Sequence, residues 1–487
     1  MSSLRKEMAK GVMWTAVAKY SGILIQILIS MVLARLIAPE EFGVVAIAQV
    51  AISFVSVLAD MGIGAGVIQN KTLNERDYDS LFTFSIILAI IIALVIIGMS
   101  PFLASFYKDS KLVPICIMIS VSSLFSTMDM VPGSLFYKEK RFKFIAKRTL
   151  AFQVLSGCIS VTYAFLGGGC FALVLAPIIS SLGTLLISLK EYPRRIDWHF
   201  RLDPIRKIFS FSVFQFLFNL VNYFSRNLDK LIIGKALNLR ELGYYQKSYN
   251  LMLMPLQNIT FVITPVLQPF LSDFQNDLDF IKEKYLEIIK LIATLSFPLG
   301  VVLYFIAYEI IYILYGPQWL PAVPAFEIFA WSIPFQMIFS TVGSIYQSTN
   351  HTKTMFYSGF MNTSITIIGF VICAFCNGGM NGFALAWDIT LILNFMTSFY
   401  IMFHFVFDSG LKLMFKRMIH PLINCVSIFI LCSIVNLLVG KKYIALSLSL
   451  KLIASLTSTI LVISIFKDYD LKSLCISIKN TLRTNVR

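Results

Sequence analysis

Apolar runs of about twenty residues, parted by short polar breaks, cover nearly the whole chain. They predict membrane-crossing helices near 12–35, 43–68, 80–106, 112–137, 144–166, 169–189, 207–232, 243–271, 291–314, 322–349, 355–376, 381–406, 419–438 and 443–466. A bilayer core roughly 30 Å thick needs about 20 apolar residues per helix. About fourteen such spans and their short loops therefore account for the chain, and the expected fold class is an all-α integral membrane protein. The stretch 81–98 carries no charge at all. The seventh and eighth runs are the most polar, and the eighth holds Pro255, Pro265 and Pro269. Prolines are tolerated in a span where neighbouring groups satisfy the freed carbonyls.

Composition supports this reading. The 487 residues are 57% hydrophobic and 14% charged, whereas a soluble domain carries roughly 25% charged residues. The longest segments between spans are only about 20 residues, too short for a catalytic domain, which points away from an enzyme. The net charge is +15, and its distribution separates a membrane from a nucleic acid as its cause. With the N-terminus cytoplasmic, 29 of the 41 Lys and Arg residues fall in cytoplasmic segments and 6 in outside loops. Basic residues gather on the cytoplasmic side of membrane proteins, where they also meet anionic headgroups. No nucleic-acid partner is implied, and both termini are expected in the cytoplasm. The polar start, 1–10, lacks a cleavable signal pattern. The eight cysteines lie almost entirely in apolar stretches, so no disulfides are expected.

The chain repeats itself. Residues 34–43 read ARLIAPEEFG and residues 234–243 read GKALNLRELG, so that Glu41 and Gly43 recur as Glu241 and Gly243, 200 positions on. Further along, the run from Gly168 to Leu173 resembles the run from Asn381 to Leu385, at an offset of 212. Small loop insertions produce such a drift. The expected organisation is a six-helix lobe over 1–190, a basic cytoplasmic linker over 191–206, a second six-helix lobe over 207–406, and helices 13 and 14 with a tail over 407–487. Six spans per unit leave both lobes the same way up, with a path between them.

Ionisable groups at membrane depth are expensive and call for partners or a wet cavity. In span 7, Asn219, Asn222, Arg226, Asp229 and Lys230 fall at steps of about three or four, on one helical face. Span 1 presents Lys19, Gly22, Gln26 and Ser30, each 200 residues before Asn219, Asn222, Arg226 and Lys230. These matched stripes are the candidate substrate-binding residues: Lys19, Gln26, Asn219, Asn222, Arg226, Asp229 and Lys230. Pairing of Arg226 with Asp229, or snorkelling of Lys230, would explain part of the stripe without a cavity. Among the acids Asp60, Asp129, Glu309, Glu327 and Asp388, Asp60 and Asp388 are the candidates for ion coupling, against interhelical hydrogen bonding for each. Lys451 reads as a packing or snorkelling lysine. Tyr244, Tyr245, Trp319 and Trp387 suit an outer interfacial belt.

Other chemistry is weakly signalled. Asp77/Asp79 and Asp277/Asp279 stand at matched places ahead of spans 3 and 9, where a helix-start role explains them; a third such pair is Asp468/Asp470. Cys373 and Cys376 have metal spacing without a second pair, and the four histidines are scattered. No Walker A, GxSxG or GxGxxG sequence occurs, so no cofactor and no metal is expected.

The segment GVMWTAVAKYSGILIQILISMVLARLIAPEEFG (11–43), followed by Ala59-Asp60-Met61-Gly62 and later by Tyr137-Lys138-Glu139-Lys140-Arg141-Phe142, resembles the polysaccharide-transporter family. These are Wzx-like O-antigen and exopolysaccharide flippases of the multidrug/oligosaccharidyl-lipid/polysaccharide (MOP) superfamily. The resemblance implies transfer of an undecaprenyl-diphosphate-linked oligosaccharide across the bacterial cytoplasmic (inner) membrane by alternating access. It also implies membrane lipids, and a polysaccharide polymerase and chain-length proteins, as partners. A multidrug/cation antiporter or a peptidoglycan-precursor flippase of the same superfamily is the competing expectation. A membrane glycan polymerase or ligase is more distant, because every outside loop is short.

Overall fold

The computed structural model describes residues 2–59, 73–197, 227–439 and 443–466, together with Gly64, Val67, Ile68, Asn70 and Tyr223. Among the described residues all regular structure is helical. The first half holds α1 (Ser2–Leu36), α2 (Pro39–Ala59), α3 (Glu75–Tyr107), α4 (Leu112–Met128), α5 (Met130–Lys138), α6 (Phe142–Phe165), α7 (Cys170–Glu191) and α8 (227–236). Then come α9 (Leu239–Pro255), a π-helical turn (Leu256–Thr260), α10 (Phe261–Ser272), α11 (Leu278–Phe305), α12 (Ala307–Tyr315) and a 3₁₀ turn (Pro317–Ala322). The remaining helices are α13 (Val323–Phe339), α14 (Val342–Ser348), α15 (Thr352–Phe375), α16 (Gly379–Phe405), α17 (Lys412–Val439) and α18 (Ile444–Phe466).

Local sequence explains the helix starts. Pro39 opens α2, with Glu40 and Glu41 in a first turn that favours negative charge. Asn74 and Asp77 form a capping box at the head of α3, each accepting the other's backbone N–H, at 2.9 and 3.2 Å. The Asp277 side chain accepts from Phe280 N–H at 3.0 Å at the head of α11. The helix-start role expected of both aspartate pairs is therefore filled by Asp77 and Asp277.

Ten of the described helical stretches are long and apolar enough to cross a membrane, and the α4–α5 pair, bent by 43° at Asp129, makes an eleventh. About fourteen spans were expected. The shortfall falls at three places: 43–68 and 207–232 lie partly or mostly outside the described residues. At 243–271 the chain runs as α9, a π-turn and α10, because Pro255 ends α9 where an uninterrupted span was expected.

The duplication is written into the backbone. Left-handed residues recur 210 positions apart as Lys140 and Asn350, Gly167 and Asn377, and Gly169 and Gly379. Each turn also repeats its hydrogen bonds: Gly168 N–H donates to Tyr163 O and Gly378 N–H to Cys373 O, while Arg141 N–H donates to Phe136 O and His351 N–H to Tyr346 O. Turn geometry thus sets the offset at 210, two less than the side-chain match of 212 suggests. Between α2 and α9 the offset is 200, and most of the growth enters after α11. There α12 and the 3₁₀ turn stand where the first half has only the 108–111 connection.

The chain forms two compact units, Met1–Gln246 with Leu314–Trp319, and Lys247–Ile313 with Leu320–Arg487. Residues 227–246, which the repeat groups with the second lobe, are compact with the first unit. The reason is local. A Cβ on Gly43 would lie 1.8 Å from Leu239 O, and a Cβ on Gly243 would lie 2.0 Å from Pro39 O. The two copies of the repeated turn are therefore in reciprocal backbone contact that only glycine allows.

Trp319 completes this contact region in the first unit. Its indole N–H donates to Ala34 O at 2.6 Å, and its ring meets Phe42 and Tyr244 edge-on. Trp319→Phe should lower thermal stability by about 1 kcal/mol, since Gln318 still donates to the same carbonyl; an unchanged melting temperature would contradict this. Nearby, Lys111 pairs with Glu41 at 3.0 Å. That hydrogen bond raises the lysine pKa, so its contribution is present below the ordinary lysine value and fades only in alkali.

On the side where α3 begins, the segment after α7 is strapped along the first turns of that helix. Arg194 pairs with Glu75 at 2.7 Å and lies 3.8 Å from Asp79 and over the Tyr78 ring. Asp197 N–H donates to Thr83 at 2.8 Å, and Ser80 donates to the Asp197 carboxylate.

Two sequence expectations change. Lys451 does not snorkel but packs inside as a charge: on α18 it is buried, pairs with Glu309 at 2.5 Å and donates to Phe305 O at 2.7 Å. Ser447 donates to the same carboxylate oxygen at 2.7 Å. Tyr244, Tyr245, Trp319 and Trp387 are buried rather than set in an interfacial belt. The tyrosine hydroxyl of Tyr245 and the indole N–H of Trp319 find partners inside the protein, which removes the need for a wet edge.

Candidate functional site

In α1 the polar stripe is divided. Lys19 is half-buried and Gln26 is exposed. Gly22 is instead taken up by packing on α6, its carbonyl accepting from the Gln153 amide at 2.7 Å. Below it, Ile29 fills the place where Gly157 lacks a side chain, and Leu33 and Ile37 close against Ala164 and Ala172. One face of α1 is thus fixed on α6 and α7, and Gln26 stays open.

In α8, Asp229 is fully buried, and its Oδ2 accepts from the Tyr245 hydroxyl at 2.8 Å. Its other oxygen has no hydrogen-bond partner among the described residues. Lys230 is half-buried and donates to the Asn227 side chain at 3.2 Å, while Asn227 donates to Tyr223 O at 3.0 Å. Asn219, Asn222, Arg226 and Asp60 lie outside the described residues. Of the expected site, the structure therefore brings Asp229 and Lys230 into one cluster with Asn227 and Tyr245.

Asp388 belongs to the second unit. It is buried on α16 with the Ser332 hydroxyl beside it, and one carboxylate oxygen lacks a hydrogen bond among the described residues. A polar seam joins α15 to α16 further along, where Asn394 donates to Thr366 at 2.9 Å and Asn362 donates to Ser398 at 2.8 Å. Such hydrogen bonds hold helices together in lipid.

Several groups escaped the sequence reading. Tyr245 is the partner of Asp229, yet tyrosines are common here and its position one turn inside α9 carries no pattern. Asn227 lies one residue off the expected stripe. Arg148 was detectable as a basic residue within an apolar run; it reaches to 4.0 Å from Asp129 at the α4–α5 bend and donates to Ser188 at 2.5 Å. Glu309 and Lys451 are both legible as charges in the sequence, but not as partners. Among the described residues no cluster of His, Cys, Asp and Glu could hold a metal ion.

This arrangement can hold charge at membrane depth and present polar groups from α1, without an activated nucleophile. Residues 32–324 match the model of a family described as "Polysaccharide biosynthesis protein". The teichuronic acid biosynthesis protein TuaB of Bacillus subtilis is 23% identical over 86% of this chain and 87% of its own length. The lipopolysaccharide biosynthesis protein WzxC of Escherichia coli is 22% identical over 84% of each. In fold, the chain is similar to a lipid II flippase MurJ in an inward closed conformation, with a TM-score of 0.71, 15% identity and coverage of 93% and 99%. It is also similar to an inward-facing multidrug resistance MATE family transporter of the MOP superfamily, with a TM-score of 0.58, 15% identity and coverage of 80% and 96%. These neighbours are transporters and flippases, not catalysts.

Proposed function

Since this chain belongs to the polysaccharide biosynthesis protein family, we propose that it carries an undecaprenyl-diphosphate-linked oligosaccharide across the bacterial cytoplasmic membrane for surface polysaccharide export. The observation that carries this reading is the likeness in fold, over 93% of the chain, to a lipid II flippase, in a chain whose sequence relatives are named for polysaccharide biosynthesis. Both termini face the cytoplasm. The lobes 1–190 and 207–406 rock about a central path while the prenyl tail stays in lipid, and α17 and α18 stand outside the repeat.

The path is lined from span 1 by Lys19 and Gln26 and from span 7 by Asn219, Asn222 and Arg226. Asp229 and Lys230 border it through the Tyr245 and Asn227 contacts. Cations suit a diphosphate, and arginine can grip its oxygens in pairs. Asp60 and Asp388 are the groups through which an ion gradient would act. A glycan polymerase and chain-length proteins are the partners that would take over the delivered cargo.

The test uses a deletion strain complemented with Lys19→Ala or Arg226→Ala. Each variant should insert at wild-type level and lower surface glycan at least tenfold, with lipid-linked glycan accumulating in the inner leaflet. Normal surface glycan in both would overturn the assignment of these residues. Normal glycan in the deletion itself would overturn the function.

A further inference from the structure

A second feature of the first unit is built from residues not assigned to the transport path. A cavity of about 440 Å³ opens between α2, the last turns of α3 and α8, with Val50, Phe54, Phe102, Phe106, Leu231 and Lys235 among its walls. That size falls within the range of small-ligand sites, roughly 300–1,000 Å³. Its walls are almost wholly apolar because the two tyrosines that line it spend their hydroxyls elsewhere. Tyr107 donates to Leu231 O at 3.2 Å, and Tyr223 donates to Val50 O. Their rings are left to face the cavity.

One end of this cavity is charged. Lys235 is exposed, lies 4.1 Å from the centre of the Phe106 ring and donates one hydrogen bond to Phe106 O at 2.6 Å. It makes no ion pair among the described residues, and an ammonium carries three donors, so two remain for an anion. Exposed Lys108 follows directly on the Tyr107 that lines the wall. Apolar walls below an available cation match a lipid with one chain and a phosphate diester, not a soluble metabolite.

Depth sets the leaflet. Of the 33-residue α3, only Met99–Tyr107 contributes to the walls, and α2 contributes Val50–Phe54 near its middle. With the N-terminus cytoplasmic, these segments occupy the outer half of the membrane. A lipid chain entering from the outer leaflet fits such a cavity.

We propose that this cavity is a binding site for an anionic phospholipid of the outer leaflet, with one acyl chain between α2, α3 and α8 and its phosphate on Lys235. Bound there, the lipid bridges α2 and α3 of the first repeat to α8 of the second. It therefore favours the conformation in which these elements are together.

The experiment measures binding of phosphatidylglycerol and phosphatidylcholine to the full-length chain in nanodiscs, by native mass spectrometry and by thermal shift. The wild type should prefer phosphatidylglycerol. Lys235→Gln should weaken that preference about fivefold, near the effect of one surface lysine on an anionic headgroup. Ala51→Trp should reduce retention of both lipids by filling the apolar wall; its melting curve is recorded first, and if that variant does not fold Lys235→Gln carries the test alone. Equal affinity for the two lipids, or a preference untouched by Lys235→Gln, overturns the proposal. So does displacement of phosphatidylglycerol by equimolar undecaprenyl phosphate, which would assign the cavity to the prenyl carrier. Binding is read without transport, so failure of the flippase reading leaves this result unaffected.

Discussion

Lys451→Met should destabilise the protein by about 3–5 kcal/mol, the largest stability loss expected of a single side chain here. The substitution keeps most of the apolar stem and removes only the charge, so the effect reports the ion pair. Glu309 would remain buried with Ser447 as its sole hydrogen-bond donor, and its second oxygen already lacks a partner among the described residues. Breaking a buried pair by removing one member has this size because the surviving charge is stranded in a medium that cannot solvate it. The pair also joins α18 to the junction of α11 and α12, beside the contact of Val301, Phe305 and Ile306 with Ile428 and Cys432. Thermal unfolding of the purified protein in detergent reads the loss. Glu309→Gln combined with Lys451→Met should recover most of it, since removing both charges can be nearly neutral. A single variant that melts with the wild type would show that the pair contributes nothing.

Gly43→Ala should be nearly as damaging for a different reason. The new methyl would stand 1.8 Å from the Leu239 carbonyl oxygen, a backbone atom that cannot rotate away. The two turns must separate, at about 3 kcal/mol or somewhat more for overpacking of this severity. Gly243→Ala meets Pro39 O at 2.0 Å and should behave alike. The two substitutions disturb one contact, so the double variant should lose less than the sum of the singles. Melting temperatures of the four proteins decide it: strict additivity would mean that the glycines act independently.

The helical membrane architecture was legible because lipid imposes it. Twenty apolar residues between polar breaks have few other uses, and helix 81–98 needed no further evidence. The duplication was legible at Glu41, Gly43, Glu241 and Gly243, where backbone contact restricts the residue type. It was misregistered by two near Gly169 and Gly379, because helix side chains tolerate sliding while left-handed turns do not. The partners inside the membrane were the illegible part. Nothing in the sequence separates Lys451 from a snorkelling lysine, since its mate Glu309 lies 142 residues away. Asp229 gave its charge but not Tyr245, and four buried aromatics looked interfacial because composition does not say where a hydroxyl or an indole N–H is satisfied. Of the candidate path, Lys19 is half-buried and Gln26 exposed, and their place on a path is part of the proposal. The span 7 residues Asn219, Asn222 and Arg226 remain expectations drawn from spacing.

The reciprocal turn contact has a consequence for descent. Each glycine faces the carbonyl of the residue that opens the other copy's turn, so the contact is self-complementary in the way an isologous dimer interface is. Two separate copies of a half-length chain could make it with no residue that one copy lacked. Fusion of the halves would then have preserved an existing interface, and neither glycine could later drift without the other copy's backbone standing in its way.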